Sequence, residues 1–190
     1  LHLNARIHLD EHMLAALIEQ ELHGPCVVVL RGLGHSDGRI QNDLLLASQL
    51  AQRRIALGLV ALVAAPIQQF REALGDDVEG FIGPSQWEPG TNFEPDFGPN
   101  SQQVIASLRR SGEFHVDYPI AQAYAAGLVV QKCLTEVGST DSRALREAAS
   151  RLKFSTFYGE FQIESETGKQ IGRETLLVQW QAGRKVIVWP

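Results

Sequence analysis

The sequence is short of sulfur, of basic charge and of long apolar runs, and each shortage removes a class of protein. Two cysteines and one methionine in 190 residues leave no disulfide framework to read from cysteine spacing. Cys26 lies beside the apolar run Val27-Val28-Val29 and Cys133 on an apolar helix face, so both are expected to be buried thiols. Lys and Arg number 17 against 22 Asp and Glu, a formal net charge of −5 at pH 7. A nucleic-acid binder needs clustered basic side chains over the phosphates, so nucleic acid is not an expected partner. No run approaches the roughly 18 apolar residues of a membrane-spanning helix; the nearest, residues 55–67, is interrupted by Pro66. The opening Leu1-His2-Leu3-Asn4-Ala5-Arg6 has neither the basic nor the apolar region of a secretory signal and no initiating Met, so a fragment or a processed chain is expected.

What is present, 44% hydrophobic and 21% charged residues, suits a globular chain of one or two domains. Asp10 is placed to cap a helix carrying Met13, Leu14, Leu17, Ile18 and Leu22 at helical spacing, closed by Gly24-Pro25. Continuous apolar runs at residues 26–30 and about 57–64 read as parallel strands buried on both faces, and residues 78–82 as a third. Helices alternate with them at residues 39–53 and from Pro66 to about Gly75, the pattern of an α/β sheet.

From Gly83 the composition changes: Pro84, Pro89, Pro95 and Pro99 fall among Gly83, Gly90 and Gly98. That is too long for an αβ loop of about 2 to 6 residues, so a crossover or functional loop is expected. Helices follow at about 101–111, 119–136 and 141–152, with Gly138 as a stop and Asp141 as a cap. Apolar periodicity then shifts to two in residues 160–164, 176–180 and 186–188, which reads as a β-meander.

Two motifs could carry chemistry. His8-Leu9-Asp10-Glu11-His12 has the spacing of one class of zinc peptidase, which needs both imidazoles on one helical face and a third ligand. A helix starting at Asp10 leaves His8 outside, so a metal-dependent hydrolase is only a distant alternative. Gly32-Leu33-Gly34-His35-Ser36-Asp37-Gly38 follows a strand, where bare backbone N–H groups and a helix N-terminus favour an anionic group, although its third glycine comes one residue late for a dinucleotide fingerprint. Ser85 and Ser101 belong to no nucleophile motif. Trp87 and Tyr118 stand where segments change direction, open to ligand contact or to plain packing.

The segment Phe70 to Gly80, then Gly83-Pro84-Ser85-Gln86-Trp87-Glu88-Pro89, Ala123-Tyr124-Ala125-Ala126-Gly127, Phe157-Tyr158-Gly159-Glu160-Phe161 and Val178-Gln179-Trp180-Gln181 together resemble the C-terminal half of the type I periplasmic binding proteins of ABC importers, the branched-chain amino acid, amide and urea class. The resemblance implies a type I α/β fold: a parallel sheet with flanking helices in two lobes, a C-terminal β-meander, and the N-terminal part of the fold without a counterpart here. Residues 1–82 and 153–190 would form one lobe and 83–152 return to the other. It implies no enzyme and no cofactor, capture of a small solute in the interlobe cleft, and delivery to permease subunits in the membrane. The location implied is periplasmic or extracellular, with lipid or membrane association. Positions matching cleft-facing loops are His35, Ser36, Ala65, Gln86, Trp87 and Tyr118. The ligand class implied by the resemblance is a small polar solute, amino acid or amide-like, although Ala64-Ala65-Pro66 stands where amino-acid receptors of the family often place an acidic residue against the ligand's amino group, which weighs against an α-amino acid. The alternative from a different class is a ligand-sensing domain of the same fold in a receptor or regulator.

Overall fold

A computed structural model describes residues 27–30, 43–50, 59–91, 93–113 and 115–190 of the 190. The helix expected from Asp10, the glycine loop after Leu30 and the His8, Glu11 and His12 constellation lie outside the described residues, as do His35 and Ser36.

The main sheet has five strands in the order β1 (Val27–Leu30), β2 (Leu59–Leu62), β3 (Ile82–Ser85), β6 (Leu176–Gln181), β7 (Arg184–Trp189). The first three are parallel and the last two run antiparallel. Helix α1 is described over residues 43–50, α2 is Gln68–Leu74, and a short 3-10 turn, Gly75–Val78, follows. The third strand thus begins four residues later than the apolar run at Val78 indicates, because Val78 is drawn into the core by the 3-10 turn. Gly83 and Pro84, expected to open the crossover, are inside β3 instead. Gly83 is required there: a Cβ on it would stand 2.5 Å from the Leu62 carbonyl oxygen and from Pro66 Cδ. Pro84, with no N–H to give, lies past the last parallel rung, since β2 and β3 are in register only at Ala61 and Ile82.

Strand β6 shows the period of two expected of it, with Leu176, Val178 and Trp180 buried and Leu177 and Gln181 exposed. Its hairpin to β7 turns at Ala182 and Gly183, both at positive φ, which suits the right-handed twist of the flanking strands. Glu79 accepts both turn N–H groups and so ties the hairpin back to the start of β3.

Three helices follow the crossover: α3 (Ser101–Arg110), α4 (Tyr118–Val137) and α5 (Ser142–Arg151). Asn100 and Gln103 close a reciprocal capping box on α3, Asp141 accepts the Ala144 N–H on α5, and Gly138 ends α4 in the left-handed conformation, as its sequence position indicates. The α4 stripe Ala121, Ala125 and Leu128 faces inward at helical spacing.

Residues 154–161 form a separate two-stranded sheet, β4 (Phe154–Thr156) with β5 (Gly159–Phe161), not the first strands of the meander. The physical reason is aromatic. Phe154 packs on Phe161 and on Phe97 at 5.2 and 5.9 Å, and Phe157 on Tyr124 and Trp87, which holds the hairpin against the helices. Apolar side chains therefore collect in two cores. One lies on the sheet and contains Leu46, Leu62, Ile67, Phe70, Val78, Phe81 and Trp180; the other lies among α3, α4 and the small hairpin and contains Trp87, Val104, Ala121, Leu128, Phe157 and Tyr158. Tyr118 packs against both.

Candidate functional site

The two cores meet along a polar seam, and its floor is built from residues far apart in sequence. Asp117, the residue before α4, is buried, and its carboxylate accepts the N–H of Gln68 at 3.2 Å, at the first turn of α2. That places a negative charge where the helix presents its positive end. Trp180 on β6 donates its indole N–H to the Ala65 carbonyl at 2.7 Å. Lys185 on β7 reaches Glu88 at 2.8 Å and the Pro66 carbonyl at 2.9 Å, and Ser85 donates to the same carboxylate at 2.9 Å. With side-chain exposures of 16% and 7%, this ion pair belongs to the interior, where each charge depends on the other for its solvation. At the far end, Arg173 donates to the Tyr158 carbonyl at 3.0 Å and to the Gln86 side-chain oxygen at 3.1 Å, while its guanidinium lies 4.0 Å from the centre of the Tyr158 ring. Gln122 on α4 donates to the same Gln86 oxygen at 3.3 Å.

Burial shapes the titration of these groups. The Tyr158 phenol is pushed up to about 12, chiefly by burial; the Arg173 charge opposes that rise and neighbouring Tyr118 adds to it. The same burial pulls Arg173 below the usual guanidinium value. Tyr118 is raised by burial and then by the negative charge of Asp117. Asp43 on α1 is raised by burial, although the backbone of Ala64 and Val63 pulls it the other way. Its carboxylate accepts the Ala64 N–H at 2.9 Å and so fixes the turn that carries Ala65.

The structure separates the residues singled out from the sequence. Gln86 and Tyr118 are partly exposed at the seam, and the Tyr118 carbonyl accepts the Tyr158 hydroxyl at 3.4 Å. Ala65 lies in the turn after β2 with its carbonyl already engaged by Trp180. Trp87 is fully enclosed at the centre of the second core, between Phe157 and Tyr158. Its indole N–H has no partner among the described residues. Sequence reasoning missed Glu88, Lys185, Asp117, Gln122 and Arg173 as seam residues. No local pattern marks them, because Lys185 and Arg173 find Glu88 and Gln86 across 97 and 87 positions of chain. Among the described residues no three His, Cys, Asp or Glu side chains are grouped to hold a metal ion, and no helix is long and apolar enough to cross a membrane.

Three parallel strands with flanking helices, an antiparallel pair completing the sheet, and a second helical core reached by a proline-rich crossover define the type I periplasmic-binding-protein-like fold. No model of a known protein family matches the sequence. Solved structures with the same fold include an amino acid ABC transporter substrate-binding protein from Pseudomonas fluorescens Pf-5, with a TM-score of 0.67 and 19% identity over 94% of this chain and 47% of that one. A leucine-binding protein, LivK, from Thermotoga maritima has a TM-score of 0.64 at 18% identity, over 78% of this chain and 41% of its own. A periplasmic binding protein from Burkholderia mallei has a TM-score of 0.59 at 16% identity, over 82% and 40%. The chain therefore spans less than half the length of these structures.

Proposed function

We propose that this chain is part of the solute-binding component of an ABC importer, one that captures a small amino acid or amide-like molecule and performs no chemistry. The observation that carries the reading is topological. Strands β1, β2 and β3 are parallel, so the loops after Leu30, Leu62 and Ser85 leave the same edge of the sheet. In open α/β sheets a ligand binds outside the carboxyl ends of the strands. Here that edge gives rise to the Ala65 turn and to Gln86, beside Tyr118, which touches both cores. His35 and Ser36, which follow Leu30 in the sequence, lie outside the described residues and are carried into the proposal from the sequence alone.

In this reading each core is the interior of one lobe. Residues 86–161 with α3, α4 and α5 would make one lobe, and the sheet with β6 and β7 the other, the chain crossing near Gln86 and again between Phe161 and Leu176. A solute held between them makes contacts with both only when they are shut, and that difference drives closure. Delivery to permease subunits outside the cytoplasm completes the proposal.

The test is a thermal-shift screen of the full-length gene product with leucine, isoleucine, valine, phenylalanine and glutamine, each paired with its primary amide. A true ligand at about a hundred times its Kd adds roughly 2.7 kcal/mol of stability, a rise of several degrees in Tm. A flat response across all ten compounds contradicts the reading.

A further inference from the structure

Resting on the ligand-capture reading above, we propose that Arg173 is an anion receptor, its guanidinium taking the carboxylate of the bound solute at the seam beside Gln86 and Gln122. The two half-buried cations of the seam, Lys185 and Arg173, are treated differently by the fold. Lys185 has its carboxylate, Glu88, at 2.8 Å. Arg173 has none among the described residues: its partners there are a backbone carbonyl, an amide oxygen and an aromatic face. Its neighbour Glu174 is exposed and unpaired with it, and Glu160, close by on β5, is bound to Lys153 at 3.2 Å. A cation drawn out of water without a counter-charge is costly, and burial already pulls this guanidinium down. An incoming anion removes that cost.

The geometry also narrows the ligand chemistry. The Tyr158 ring lies over the guanidinium, its centre 4.0 Å away. Two hydrogen bonds to protein oxygens leave further guanidinium N–H groups without a described partner. A planar carboxylate accepts such a pair of donors side by side. Arg173 also sits on the segment that returns to the sheet while holding Gln86 on the outgoing one, so an anion there contacts the place where the lobes join. In a chain of net charge −5, long-range attraction does not supply anion binding, and a local cation must.

Titration calorimetry on the full-length product tests this with whichever acid–amide pair shifts Tm most. The acid is expected to bind at least tenfold more tightly than its amide. Arg173→Gln is expected to weaken the acid by about tenfold or more and the amide by much less, and Arg173→Lys to recover part of the loss. The Tm of each ligand-free variant reports any loss of fold separately. Equal binding of acid and amide, or an Arg173→Gln protein that is folded and binds the acid like wild type, overturns the role of Arg173 and leaves ligand capture standing. If none of the ten compounds binds wild type, ligand capture itself fails and Arg173 with it.

Discussion

Trp87→Ala is expected to cost about 3 to 5 kcal/mol of stability, the range for truncating a large aromatic in a packed core. Trp87 is wholly enclosed, edge-on to Phe157 at 5.8 Å and stacked near Tyr158 at 6.5 Å, so its removal leaves a cavity bounded by side chains from the crossover, α4 and the small hairpin. Trp87→Phe separates volume from polarity. The indole N–H has no described partner to lose, so Phe forfeits packing alone and is expected to cost roughly 1 to 3 kcal/mol. Urea unfolding followed by far-ultraviolet circular dichroism measures both. A Trp87→Ala loss under about 1 kcal/mol would mean that the indole faces solvent or ligand and that the second core is not organised around it.

Glu88→Ala is expected to cost a comparable 3 to 5 kcal/mol, because it strands the Lys185 ammonium in the interior. Lys185→Met alone strands Glu88 in the same way, although Ser85 still donates to that carboxylate. The double variant is expected to be far less unstable than the sum of the two, since removing both charges removes the desolvation cost of each. A double-mutant cycle by urea titration gives the coupling directly. Additive losses would show that the pair is solvated and that β7 is held to the crossover by something else.

Much of this architecture is legible in the sequence because it is written locally. The capping residue Asp141, the stop at Gly138 and the period-two burial of Leu176, Val178 and Trp180 depend on neighbours within a turn or a strand. The apolar runs announcing β1 and β2 are equally local. What escaped is what depends on distant partners. Gly83 and Pro84 read as loop residues, yet antiparallel pairing with Val178 and Leu177 of β6 makes them strand. Phe157 and Tyr158 stand just before a segment of alternating pattern, yet their rings find Trp87 and Tyr124 and carry the hairpin to the helices. Within the candidate site the same division holds. Gln86 and Tyr118 stand at visible changes of chain direction, whereas the charges of Glu88, Asp117, Arg173 and Lys185 acquire meaning only once remote elements are brought together.

The most direct test of a two-lobed, ligand-gripping molecule is small-angle X-ray scattering of the full-length product, with and without the compound that stabilises it most. Two bodies hinged at the Gln86 and Arg173 crossings and shut by solute should show a smaller radius of gyration when saturated. An unchanged radius at saturation, with the solute bound by one body alone, would contradict the account.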